Sequence, residues 1–248
     1  MNTWVDILIV DIKGKFAHFR KFYTNSSSLS YSVPPRTTIA GMLAGILGYD
    51  RDSYYEIFSK EQLNIAIRKL TPTRKIMQSL NYIKADNPGK ILNPKEHTQI
   101  PFEIITSDKG RLSYRIYINH RDKNIMDELQ KRILEKKYYY SPYLGAAPFN
   151  CTFEFVDRVQ GTLMKEKEEV LIYSLINKES INKCFVTLED KELFLVKEKM
   201  PSEILKNRVI EKVDNYIYDE NTNSLKVNLN CNYIKLKYKF TEENILFM

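Results

Sequence analysis

Cysteine, histidine and glycine are all scarce in this chain: 3, 3 and 8 of 248 residues. Cys151, Cys184 and Cys231 lie far apart with no C-x-x-C pair, which argues against a disulfide framework or a cysteine zinc site and suits a reducing cytoplasm. His18, His97 and His120 are not at ligand spacing with each other or with a cysteine, so neither metal catalysis nor a bound cofactor is expected. Gly41, Gly45 and Gly48 fall inside an apolar helical pattern and not in a loop ahead of one, so no phosphate-cradling or dinucleotide fingerprint is present. A nucleophile elbow is missing too. The longest apolar run, Ile39 to Tyr49, is too short for the roughly 20 residues that span a bilayer. Asp6 and Asp11 interrupt the segment where a signal peptide needs an apolar core. A cytoplasmic protein with no membrane contact is expected.

The absence that points somewhere is that of carboxylates between Ile12 and Tyr49. This window holds Lys13, Lys15, Arg20, Lys21 and Arg36 and no acid, which predicts an anion-binding surface. The net charge of +7 is concentrated accordingly: residues 1–160 carry 24 Lys/Arg against 16 Asp/Glu, and residues 161–248 carry 14 against 15. Within the window, Pro34-Pro35-Arg36-Thr37-Thr38 precedes Ile39, Met42, Leu43, Ile46 and Leu47 at helical spacing. Arg36 is thereby expected to clamp phosphate beside the free N–H groups of a helix N-terminus, with Arg20 and Lys21. Thr37 and Thr38 would add donors, and Tyr31 a face for a base.

Strand-like stretches at Trp4–Ile12, Leu63–Leu70, Ile100–Thr106, Arg111–Ile118 and Cys151–Val159 alternate with the helix above and a second at Asp122–Lys137. Ile100–Thr106 and Arg111–Ile118 are expected to pair around Ser107–Gly110. The order reads as β-α-β-β-α-β, an α+β, ferredoxin-like plan that RNA-recognition domains share. A proline-broken segment, residues 71–99, interrupts it with Arg74, Lys75, Lys84, Lys90 and Lys95 against Asp86 and Glu96, the composition of a protruding basic arm. Residues 161–248 read as a smaller, mostly β second domain, the boundary falling at 160/161.

His18 beside Arg20 and Lys21, or His120 at a strand end, could serve a metal-free ribonuclease; in a basic groove a histidine more often stacks or donates to phosphate. Tyr138, Tyr139, Tyr140 and Tyr143 could stack bases, but a tyrosine-rich helix exit followed by Pro142 and Gly145 is more often ordinary capping and packing.

Several segments resemble one family. Gly14 with Ala17-His18-Phe19-Arg20, then Ser30-Tyr31-Ser32-Val33-Pro34-Pro35-Arg36-Thr37-Thr38, then Gly41-Met42-Leu43-Ala44-Gly45-Ile46-Leu47-Gly48, look like the N-terminal signature of the CRISPR-associated Cas-five family. Tyr143-Leu144-Gly145-Ala146-Ala147-Pro148-Phe149 resembles its second conserved patch. The resemblance, nearest in flavour to subtype I-B, implies an RNA-binding palm with a thumb-like arm in the surveillance complex Cascade. There the family caps the 5′ handle of the guide RNA, touches the backbone and large subunits and meets target DNA indirectly. One branch is itself the guide-processing nuclease, through a Tyr, Lys and His set that has no residue-by-residue match here. A non-catalytic capping subunit is therefore the expectation, and a metal-independent endoribonuclease the alternative. The candidate RNA contacts are His18, Arg20, Lys21, Ser30, Tyr31, Arg36, Thr37, Thr38, Arg74, Lys75, Lys84, Tyr143 and Gly145.

Overall fold

The computed structural model describes residues 4–85, 87–165, 169–185 and 192–248; Asp86 and the side chain of Cys184 lie outside the described residues. In chain order the first half comprises β1 (Trp4–Gly14), β2 (Phe19–Arg20), β3 (Ser30–Tyr31), α1 (Arg36–Leu47), β4 (Leu63–Lys69), β5 (Arg74–Ile83), α2 (Pro88–Leu92), β6 (His97–Thr106), β7 (Leu112–His120) and α3 (Lys123–Glu135). After it, the described elements are two short 3-10 turns and the strands β8 (Cys151–Met164), β9 (Val170–Ile172), β10 (Ile176–Asn177), β11 (Ile181–Phe185), β12 (Leu195–Ile204), β13 (Ile210–Asp219), β14 (Leu225–Leu229), β15 (Tyr233–Tyr238) and β16 (Thr241–Ile245). With 48% strand and 15% helix, this is a mixed α/β protein dominated by sheet.

The main sheet has six strands in the order β16-β15-β8-β1-β7-β4, all paired antiparallel. The apolar run of β1 is explained by its central place, because successive side chains point to opposite faces and both faces are covered. Leu8, Val10 and Ile12 pack with Ile39, Leu43 and Ile46 of α1 and Met126, Leu129 and Ile133 of α3. On the other face, Ile7 and Ile9 meet Tyr117 and Ala66, and over them fold Ile234, Leu236, Tyr238 and Ile245 of β15 and β16. The sheet curls until its last strands cover its own back.

Polar groups lock that curl. The fully buried Glu243 on β16 accepts from Arg68 on β4 and from the Tyr117 hydroxyl. Arg115 forks onto Asp11 at 2.7 and 2.9 Å and donates to the Tyr238 hydroxyl at 2.9 Å. Two guanidinium groups and two carboxylates balance, and such buried charges survive only when paired. Met248 N–H closes the edge by donating to Ile65 C=O at 2.8 Å.

Two expectations about organisation change. Ile100–Thr106 does not pair with Arg111–Ile118: β6 pairs with β5 from Arg74↔Thr106 to Ile83↔His97 as a separate arm, while β7 enters the main sheet. The turn itself forms, with Gly110 N–H on Ser107 C=O at 3.1 Å, but the strands it joins diverge. The division at 160/161 falls inside β8, and β15 extends the same sheet. Met200, Tyr216 and Tyr218 of β12 and β13 bury themselves in the α1-side core. Each apolar face needs cover, and in this chain residues 161–248 cover both sides of the first half.

Candidate nucleic-acid interface

RNA-recognition domains stack bases on an open sheet face. Here that face is closed by β15 and β16, so any nucleic acid must lie elsewhere. The alternative is the end of the sheet where β1 stops and the arm leaves. Three segments meet there. The loop after β1 ladders onto the arm's base through reciprocal Ala17 and Ile105 bonds of 2.9 and 2.8 Å, and again through Ser28 N–H to Pro101 C=O and Glu103 N–H to Ser28 C=O. Residues 143–150 close over it, Leu144 C=O accepting from His18 N–H at 3.0 Å.

Gly145 explains how they come so close. Its φ is +81°, and a Cβ there would sit 2.0 Å from His18 O. No other residue type fits. The two segments that carry the family resemblance thus abut through a glycine contact.

Beside this junction, a shallow groove is lined by Lys13, Lys15, Gly110, Arg111, Asn150 and Thr152 among others. Lys15, Arg20 and Arg111 are exposed, and none has an ion-pair partner among the described residues. Among the described residues the Arg20 guanidinium donates to Thr24 C=O at 3.3 Å, and the Lys15 ammonium lies 5.5 Å from the Phe16 ring centre. Lys13 is drawn off by Glu154 at 2.5 Å.

Most of the other expected contacts have different work. Arg36 is a correction: it is 2% exposed, and its guanidinium donates to three backbone carbonyls, Ser202 at 3.3, Phe58 at 3.1 and Leu63 at 2.7 Å. It staples the start of α1 to β12 and β4, out of reach of a phosphate. Lys21 is also corrected, its ammonium paired with Glu198 of β12 at 2.7 Å. Tyr31 offers no face to a base, since it is fully buried with its hydroxyl donating to Lys199 C=O at 2.6 Å. Ser30 is buried as well; its N–H donates to Glu103 and its hydroxyl oxygen accepts from Phe19 N–H, both at 2.8 Å. Thr37 and Thr38 lie half-buried in the first turn of α1, an end with no side-chain cap.

The histidines are equally committed. His18 stacks on Phe102 with ring centres 3.9 Å apart, Nδ1 meeting Glu103 C=O at 2.7 Å and Nε2 the Ser28 hydroxyl at 2.9 Å. Burial holds its pKa below the ordinary 6.5, so the neutral ring donates through Nδ1 and accepts at Nε2. His120 Nε2 meets Ile57 C=O at 2.8 Å and its Nδ1 accepts from Asp122 N–H at 2.9 Å. On the arm, Arg74, Lys75 and Lys84 are exposed but partnered by Asp108, Glu103 and Glu96 at 3.0, 3.2 and 3.4 Å. The Arg74 and Lys84 pairs lie at the surface, where an ion pair contributes little, whereas Lys75 is held by the buried Glu103 and by Ser30 C=O at 3.2 Å.

Of the residues named from sequence, Arg20, Tyr143 and Gly145 therefore stand at the junction and exposed. Lys15 and Arg111 join them. Lys15 was visible in the acid-free window; Arg111 carried no signal beyond its place after a turn.

No helix among the described residues is long and apolar enough to cross a membrane. Among curated proteins no match is found. A crystal structure of a CRISPR protein from Archaeoglobus fulgidus is similar over 96% of this chain and 98% of that one, at 14% identity and a TM-score of 0.56. A chain from a CRISPR RNA-guided surveillance complex is 14% identical, covering 89% of this chain and 91% of its own, with a TM-score of 0.46. The first of these shows a shared fold. The family described as CRISPR-associated protein (Cas_Cas5) matches residues 7–134, more than half of the 248, and holds α1, the arm and nearly all of α3; this chain belongs to that family.

Proposed function

We propose that this chain is the guide-RNA-capping subunit of a type I CRISPR surveillance complex, holding the 5′ handle in the groove at the base of its arm and leaving it uncut. The observation that carries this reading is that Lys15 and Arg111 line one groove beside the junction, with Arg20 exposed on the segment that ladders onto the arm's base, all three without a carboxylate partner among the described residues. A covered sheet face supports the same place by elimination. The strand order β8-β1-β7-β4, with α1 and α3 on one side, supports a ferredoxin-like palm. The exposed arm then reaches the complex's backbone subunit, a large subunit sits on the palm, and the whole acts in the cytoplasm in antiviral defence, meeting target DNA only through its partners. A non-catalytic role is supported by His18 and His120, whose ring nitrogens are all engaged within the protein.

The test is to incubate the purified chain with CRISPR repeat RNA in EDTA and to measure both binding and chain length. Bound, intact RNA is expected. Replacing Lys15, Arg20 and Arg111 together by alanine should weaken binding strongly and lower the salt slope by about 0.7 for each phosphate that is no longer neutralised. Unchanged affinity and slope would move the site away from the groove. A single cut leaving a 2′,3′-cyclic phosphate, abolished by His18→Ala or His120→Ala, would establish the endoribonuclease instead.

A further inference from the structure

Gly41 and Gly45 of α1 and Gly48, its left-handed C-cap, lie on one stripe at i, i+4 and i+7. Each is covered by a different tyrosine. A Cβ at Gly41 would come 3.0 Å from the Tyr54 hydroxyl, one at Gly45 3.9 Å from Tyr140 Cβ, and one at Gly48 2.7 Å from the Tyr139 ring. The segment that carries Tyr139 and Tyr140 is fastened by its main chain, with Tyr139 N–H on Ile46 C=O at 3.2 Å and Tyr140 N–H on Gly45 C=O at 3.1 Å. The backbone is therefore ordered against the helix, and the Tyr139 and Tyr140 rings meet edge to face with their centres 4.9 Å apart. Tyr139, Tyr140 and Tyr143 are 65%, 50% and 45% exposed.

Packing on the glycines fixes where the rings sit but leaves much of each open to water. Rings fixed at their base and still about half open to water bury little apolar area in the isolated chain, and exposed aromatic surface of this kind marks a binding site. Its position says for what. Tyr143 directly precedes Leu144, whose carbonyl holds His18, so the row starts where the basic groove ends. At its other end stands Lys136, the exposed left-handed residue that closes α3, with no ion-pair partner among the described residues. Aromatic rings set between cations along a groove are the means by which proteins hold unpaired nucleic acid, because every base has a π face.

We infer that Tyr143, Tyr140 and Tyr139 form a stacking row for unpaired bases of the RNA strand as it leaves the groove, beside the half-buried Tyr54, whose ring packs with Tyr55 and Phe58. This rests on the RNA-binding function proposed above and adds to it how the strand is read: by base faces, without regard to sequence.

Two probes separate the row from the groove: a short uridine RNA, and a strand of equal length with the same backbone and no bases. The wild-type chain is expected to bind the base-bearing strand roughly tenfold more tightly, as losing base stacking on exposed rings implies. In the triple variant Tyr139→Leu, Tyr140→Leu, Tyr143→Leu the two strands should bind within about twofold of each other, and the corresponding phenylalanine triple should restore the gap. The single variant Tyr139→Leu, at the most exposed position, should narrow the gap in part and does not depend on the triple variant folding. If the leucine variants keep the full gap while both strands bind, the row is not a stacking site and its face belongs to a protein partner, with the groove unaffected. If the wild-type chain binds neither strand, the RNA-binding function fails and the row with it.

Discussion

The ammonium of Lys21 lies 2.7 Å from the carboxylate of Glu198, a residue 177 positions away in sequence. Both side chains are largely buried, 12% and 11% exposed, so a cation counted in an acid-free window is neutralised by an acid the window does not contain. The pair ties the loop after β1 to β12.

Removing one partner of such a pair leaves the other buried and unpaired. Lys21→Ala is expected to cost about 3 kcal/mol of folding stability. Urea unfolding should show it, while RNA affinity of the folded variant stays within about twofold, since other cations face the groove. A stable Lys21→Ala that has lost RNA binding would put Lys21 back in the interface.

Arg36 should behave likewise. With three carbonyls depending on one guanidinium, Arg36→Ala is expected to lower stability by roughly 3 kcal/mol or more, visible as a drop in Tm. Its salt dependence of RNA binding, measured below that Tm, should match the wild type. A lowered slope in a variant of normal Tm would restore the phosphate clamp.

His18 gives a direction with pH. Its folded pKa is held below 6.5 by burial, so below that value the unfolded chain binds the extra proton and folding is opposed. Stability contributed by the neutral ring is complete above pH 6.5 and is lost as pH falls toward the folded pKa. Thermal unfolding followed from pH 7 to pH 5 should show a falling Tm, less steep in His18→Gln than in wild type. Equal slopes would mean that the ring is free to protonate in place.

Gly145→Ala is expected to disturb the junction and to press on the edge of the core at Phe19, 3.1 Å from the added Cβ. A Cβ 2.0 Å from His18 O must displace one of the two segments, on top of the left-handed backbone that alanine disfavours by about 1 kcal/mol or more. RNA affinity should fall more than Tm does, and a variant with wild-type affinity would show that the turn at residue 145 does not shape the groove.

Sequence alone determined a good deal here. The double-sided apolar run of β1, the spacing of Ile39, Leu43 and Ile46, the Gly48 stop and the basic hairpin arm follow from periodicity and turn chemistry, which act over a few residues and so are written locally. The family was legible for the same reason, in contiguous motifs. What the tertiary structure decided is which cations remain free. Arg36 and Lys21 are as basic on paper as Arg20, but burial against Ser202, Phe58, Leu63 and Glu198 turns them into staples, while Arg20, Lys15 and Arg111 are left to water. The covering of the sheet's back by β15 and β16, and the glycine contact of residue 145 on His18, are likewise long-range. Charge is a property of a residue, whereas its availability depends on every group packed around it, and those groups come from anywhere in the chain.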